Sequence, residues 1–306
     1  MTHLIFDSLT ETPTIIATNR AKRTDQTGAV SSVVKGEDDG VCFFCRGNEH
    51  LTPPTLYQDA DPWNVRVFRN KYPLMDDHEI VVHSSEHDKD IEDLEHESNV
   101  KIITAYLDRM SFYGSRDKEV MIFNNRGGKA GASILHPHSQ IVAAKGFPGL
   151  IEKENNSALH YFNEHNRCYW CDEIQQARQD DRVVFESAFF AVTIPEACRW
   201  SYEIKLIPKN HKPNFGFIDQ KEIHDLADVL KATLQSYNTL FNRPDRNFWI
   251  HTMRYEPYHW HMGFIPHIKV FGALELGAGI WVSDKATPQD AAIQLRETGV
   301  FNSIST

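Results

Sequence analysis

The feature that most constrains this chain is a cysteine and histidine spacing that occurs twice. Cys42-Phe43-Phe44-Cys45 is followed by His87, 87 − 45 = 42 positions on, and then by His136, a further 136 − 87 = 49. Cys168-Tyr169-Trp170-Cys171 is followed by His211, 211 − 171 = 40 positions on, and then by His259, a further 259 − 211 = 48. Both copies end in a His-x-His, His136-Pro137-His138 and His259-Trp260-His261. Two thiolates and two imidazoles suit a tetrahedral structural zinc. With 16 histidines in the chain one such match arises easily by chance, but a second in the same order at nearly the same spacing does not. The spacing predicts two zinc ions per chain. Cys42, Cys45, His87 and His136 would hold one, and Cys168, Cys171, His211 and His259 the other.

The repeat extends beyond the ligands. Strand-like runs at 64–68 and 79–83 precede a helical stripe of Val100, Ile103, Leu107 and Met110. Runs at 182–193 and 202–208 precede a second stripe, Ile223, Leu226, Leu230, Leu234, Tyr237 and Phe241, with Asp219 placed to cap it. Two more runs follow each helix, 119–123 and 139–144 against 247–252 and 259–265. The expected fold class is α+β, two tandem halves that each carry an antiparallel sheet and one main helix. The halves are expected at 1–150, catalytic, and 166–306, with a polar boundary at 150–166 and a tail from 272 that has no counterpart.

Composition narrows the class of partner. The 306 residues carry a net charge of −10, which argues against broad nucleic-acid binding. Local basic groups, Arg20, Lys22 and Arg23, then Arg66, Arg69 and Lys71, still suit a small anionic substrate. No apolar run is long enough for a membrane span, and no secretory signal is evident, so a cytoplasmic location is expected. In that setting paired cysteines point to zinc or redox chemistry rather than disulfides.

The stretch His136-Pro137-His138-Ser139-Gln140 carries the chemistry. In an extended segment His136, His138 and Gln140 alternate onto one side. His136 can ligate metal while His138 serves as a nucleophile, attacking an α-phosphorus and splitting a diphosphate exchange into two steps. Gln140 cannot trade protons near neutral pH, which favours moving a phosphoryl group over hydrolysing it. Gly127, Gly128 and Gly131 allow close backbone approach to phosphates.

Several motifs, in order, resemble the galactose-1-phosphate uridylyltransferase family of the histidine-triad superfamily. They are Arg20-Ala21-Lys22-Arg23, Cys42-x-x-Cys45-x-Gly47-Asn48-Glu49, Phe68-x-Asn70-Lys71-Tyr72-Pro73, Asn125-x-Gly127, Gly131-Ala132-Ser133, the His-Pro-His-Ser-Gln stretch and Tyr258-His259-Trp260-His261. The resemblance covers nearly the whole chain. It implies two histidine-triad-like halves and ping-pong transfer of a nucleoside monophosphate between a nucleotide sugar and a sugar 1-phosphate; a homodimer is one open expectation beside a monomer. By the same resemblance His138 is the nucleophile and Gln140 holds a phosphoryl oxygen. Asn125, Gly131 and Ser133 line the phosphates, and Arg20, Arg23 and Asn70 meet the nucleotide.

Three points depart from the simplest version. The stretch 274–279 resembles more closely the branch near ADP-glucose phosphorylase, in which phosphate is the acceptor, so that reading stands as the alternative beside a histidine-triad nucleotide hydrolase. Some relatives place a Glu and three His at the second metal, which here would be Glu154, His251, His259 and His261. The second half has Met262-Gly263 where the first has Ser139-Gln140, so it is expected to lack a catalytic centre of its own.

Overall fold

The structure is a computed structural model, in which residues 3–18, 20, 25–26 and 41–304 are described. A short hairpin, β1 (His3–Phe6) and β2 (Pro13–Ile16), stands apart from the main sheet. The first half contains β3 (Thr55–Gln58), β4 (Arg66–Arg69), β5 (Asp77–Val82), α1 (His96–Gly114), β6 (Glu119–Arg126) and β7 (His138–Ala144). Helices α2 (Leu150–His165) and α3 (Tyr169–Gln179) lead into the second half. That half contains β8 (Val183–Glu186), β9 (Phe190–Thr193), β10 (Ile204–Pro208), α4 (Gln220–Phe241), β11 (Arg246–His251) and β12 (His261–Pro266). Helices α5 (Ala273–Ala278) and α6 (Pro288–Glu297) follow.

The ten strands from β3 onward form one antiparallel sheet in the order β3-β4-β5-β7-β6-β11-β12-β10-β9-β8. Read inward from either end, the strands take the same roles. The halves meet at β6 and β11, where Arg126 lies opposite Arg246 and Ile122 opposite Ile250. The duplication read from the ligand spacing is thus two equivalent half-sheets zipped into one, with no free edge between them.

Alternation sorts the side chains between the two faces. Val67, Val81 and Ile141 face α1, while Phe68, Ile80 and Val82 join a separate cluster on the opposite face. In the second half Leu206, Phe248, Ile250 and Met262 pack on the α4 side. Both main helices lie on one face and share a single core. Asp219 caps α4 as expected: it accepts the Glu222 N–H, and the Glu222 carboxylate accepts the Asp219 N–H in return. The α4 stripe is buried from Ile223 to Tyr237. Helix α1 is turned slightly from the expected stripe. Ile102, Ile103, Tyr106, Met110 and Tyr113 are buried, and Val100 and Leu107 only partly so.

Two stretches differ from their sequence reading. The polar segment from 150 to 166 is helix α2, because Ile151 and Ala158 pack with Trp170, Ile174 and Tyr258. The run 182–193 is two strands rather than one. Asp225 on α4 accepts both the Ser187 hydroxyl, at 2.6 Å, and the Phe189 N–H, at 2.9 Å, which pins a turn between them. Among the described residues no helix is long and apolar enough to cross a membrane.

Candidate active site and metal centres

Strand β7 carries the candidate chemistry on the sheet face opposite α1. Val82 pairs with His138 and Ile80 with Gln140, so both polar residues stand over the Phe44, Phe68 and Ile80 cluster. They line an open cleft of about 820 Å³, its mouth included. Arg20, Asn70, Gly131 and Ser133 line the same cleft, with Lys71 and Tyr72, which the sequence motif contained without a role. Asn125 does not. It lies in an adjoining recess with Gly127, Arg126 and Pro137. Its Oδ1 accepts from Asn247 of the second half at 2.8 Å. Arg23 falls outside the described residues.

His138 is held by its own strand. Nδ1 donates to the His136 carbonyl at 2.9 Å, which leaves Nε2 as the lone-pair nitrogen. Burial pushes its pKa down to about 4, so the ring is neutral near pH 7. On the other face, Ser139 Oγ lies 2.7 Å from His83 Nε2, and His83 Nδ1 lies 2.7 Å from Asp90. The order Ser-His-Asp resembles a hydrolytic triad, but Ser139 and His83 are fully buried and Asp90 is 2 % exposed. Tyr106 donates to Ser139 Oγ at 2.7 Å. No substrate reaches this group; it anchors β7 to α1.

The second half completes that anchor. Arg246 is fully buried and donates to Asp90 at 2.9 Å and to Glu92 at 2.6 Å. It also donates to Asn124 Oδ1 at 2.7 Å, and Asn124 in turn donates to the His138 carbonyl at 2.8 Å. Burial opposes ionisation of Asp90, yet Arg246 and His83 hold its carboxyl well below the usual range. At the glycine turn, Gly127 has φ +84°, and a Cβ there would lie 2.1 Å from Asp245 Oδ1. Only glycine lets this turn settle against the second half.

Both predicted ligand quartets assemble. Cys42, Cys45, His87 and His136 bring their donor atoms together, as do Cys168, Cys171, His211 and His259. A tetrahedral zinc with ordinary bond lengths separates S and N ligands by roughly 3.5–3.6 Å. In the first quartet the Sγ–Nδ1 distances are 3.5, 3.4 and 3.6 Å. In the second they are 3.7, 3.8 and 3.6 Å. His136 Nε2 donates to the Ser84 carbonyl at 2.8 Å, which leaves Nδ1 to face the thiols. Glu154 gathers His251, at 2.7 Å, and His261, at 3.9 Å. His259 is not in that group; its Nδ1 turns to the cysteines.

His261 repeats the His138 arrangement, with Nδ1 3.1 Å from the His259 carbonyl. Its surroundings differ. Glu154 from α2 and the Trp170 ring, 5.2 Å away, cover it. Gly263 stands where the first half has Gln140, and a Cβ there would lie 2.5 Å from the Trp249 indole. The second half keeps the imidazole and fills the cleft.

Comparison with known proteins fits this construction. Residues 76–148 match the family model described as galactose-1-phosphate uridyl transferase, N-terminal domain. ADP-glucose phosphorylase of Arabidopsis thaliana is 28 % identical over 96 % of this chain and 92 % of its own. Galactose-1-phosphate uridylyltransferase of Thermotoga maritima is 28 % identical over 81 % of this chain and 82 % of its own. The crystal structure of the Arabidopsis ADP-glucose phosphorylase with bound ADP-glucose superposes with a TM-score of 0.78, covering 97 % of this chain and 99 % of that one. The chain is therefore an enzyme of the nucleotidyltransferase kind, related to galactose-1-phosphate uridylyltransferase and ADP-glucose phosphorylase and built on their α+β fold.

Proposed function

We propose that the chain moves a nucleoside monophosphate from a nucleoside diphosphate sugar to phosphate, through a covalent adduct on His138. One observation carries the reading. The Nδ1 of His138 is committed to the His136 carbonyl, in a cleft that also holds Gln140. Its Nε2 attacks the α-phosphorus, the bond to the bridging oxygen breaks, and sugar 1-phosphate leaves with that oxygen. As the adduct forms, the His136 carbonyl steadies the charge that develops on the ring. A phosphate oxygen then attacks the same phosphorus, the N–P bond breaks, and a nucleoside diphosphate leaves with the imidazole restored. Gln140 holds a nonbridging oxygen and supplies no proton. Arg20 and Asn70 meet the nucleotide, Gly131 and Ser133 its phosphates.

End-to-end similarity to ADP-glucose phosphorylase favours an adenylylated sugar as donor and phosphate as acceptor. The uridylyl version, with a hexose 1-phosphate acceptor, is favoured by the match over residues 76–148. Two zinc ions per chain complete the reading; zinc, when bound, would cross-link each CxxC segment to its His-x-His strand. His136 then fixes the start of the strand that carries His138. The test is to incubate the protein with ADP-glucose or UDP-glucose and map the mass increase by peptide. An adduct on His138 that phosphate or a sugar 1-phosphate discharges is expected. A protein that turns over either donor with no adduct on His138 overturns the covalent route.

A further inference from the structure

Gln140 can donate to a phosphoryl oxygen only if its amide meets the cleft NH2 first. Nothing in the glutamine itself decides which end that is, since its oxygen and nitrogen are nearly the same size. The neighbouring strand decides it. His78 on β5 is buried, and the backbone N–H of Leu74 donates to its Nδ1 at 2.9 Å. That nitrogen is therefore an acceptor. A neutral imidazole has one ring proton, so the proton is on Nε2. Burial pushes the His78 pKa down to about 4, which keeps the count at one near pH 7.

His78 Nε2 lies 2.9 Å from Gln140 Oε1. Asn70 also approaches Nε2, with Nδ2 at 3.2 Å, but its oxygen already accepts the Tyr72 N–H at 2.8 Å. Asn70 thus presents a second donor and cannot take the His78 proton. Gln140 Oε1 is left as the acceptor. Turning the amide over would set N–H against N–H in a buried place, at a cost of the order of a lost hydrogen bond, about 1–3 kcal/mol.

We propose that His78 is a positioning residue that fixes the tautomer-dependent orientation of Gln140, so that its NH2 faces the α-phosphoryl group over His138. The backbone of Leu74 sets the His78 tautomer, His78 sets the glutamine, and the glutamine meets the substrate. This rests on the reading of His138 as the nucleotidyl acceptor.

The test has two arms. The first uses steady-state transfer with ADP-glucose and phosphate, or UDP-glucose and a hexose 1-phosphate. Replacing His78 by Met keeps the length and removes the donor, and should lower kcat about 10- to 100-fold with little change in KM, the scale of weakening one oxyanion donor. His78→Gln returns an N–H at the same reach and should restore kcat to within about threefold of wild type. On a Gln140→Ala background the Met and Gln variants should be equal. If His78→Met costs the same with and without Gln140, or if His78→Gln is no better than His78→Met, the proposal is overturned. The second arm needs no activity. Imidazole nitrogen NMR of the wild-type protein should show the His78 proton on Nε2, and a proton on Nδ1 overturns the proposal whatever the enzyme transfers. A wild-type protein that transfers nothing defeats the transfer reading alone, because the NMR arm still decides the orientation.

Discussion

At the scale of single residues, the nucleophile role proposed for His138 rests on a ring that is neutral, aimed and unable to turn. Its Nδ1 proton is tied to the carbonyl two residues back, a bond that the extended strand makes without help from any other side chain. His138→Ala should remove the adduct and lower transfer by on the order of a thousandfold or more, as expected when a covalent nucleophile is lost. Metal content should stay as in wild type, and near-normal turnover by this variant would end the assignment. Gln140→His changes a different property. An imidazole at that place can give a proton to a leaving group or take one from water. The ratio of nucleoside monophosphate released to nucleotide transferred should therefore rise, measured with and without acceptor. An unchanged ratio would remove the chemical reason for preferring transfer over hydrolysis. The roles proposed for these two residues came from a local motif, because alternation along one strand places His138 and Gln140 together. His78 was not legible that way. Its meaning depends on the register of β5 against β7 and on a backbone N–H four residues back, and no spacing in the sequence encodes either.

At the scale of elements, β7 is fastened on both faces and at its start. His136 joins it to the Cys42–Cys45 loop, Ser139 joins it to His83 and Tyr106, and Asn124 holds the His138 carbonyl. Cys42→Ser or Cys45→Ser should release the first metal, lower thermal stability and lower transfer, since ligand binding energy here is also folding energy. Cys168→Ser should lower stability but leave the transfer rate of the folded fraction close to wild type, because its quartet lies against the filled half. Metal analysis alongside single-turnover kinetics separates the two, and equal losses of transfer from both variants would contradict this division of labour. The two Cys/His clusters were readable because their repeated spacing sits on equivalent places of the two halves. Helix α4 was readable from Asp219 and its apolar stripe. Helix α2 was not, since its exposed face is polar and what holds it is packing against Trp170 and Tyr258, residues from elsewhere in the chain. The break between β8 and β9 was missed for the same reason: the turn is pinned by Asp225, 38 positions after Ser187.

At the scale of the whole molecule, the duplicated halves share one ten-stranded sheet and one core on its helical side, and they differ in what covers the other side. Trp249 over Gly263 and Glu154 and Trp170 over His261 close one cleft while its counterpart stays open. The closed half still serves the open one through Arg246, which has no access to solvent and satisfies Asp90, Glu92 and Asn124 across the seam. Arg246→Met should destabilise the protein by about 3–5 kcal/mol, because buried Asp90 loses its arginine and buried Glu92 is left with Arg126 as its cation. The stronger consequence concerns the halves themselves. We expect residues 1–150 expressed alone not to form a folded monomer. That fragment would leave the whole length of β6 as an unpaired edge, a template for pairing with another chain. It would also leave Asp90 and Glu92 buried without Arg246, and it would strip α1 of the α4 face on which it packs. Co-expression of 1–150 with 151–306 should restore a soluble complex with both metals and transfer activity. Size-exclusion chromatography and denaturant unfolding decide the matter: a monomeric 1–150 fragment that unfolds in one cooperative step would show that the first half stands alone and that the seam is an interface between independent domains rather than part of one core.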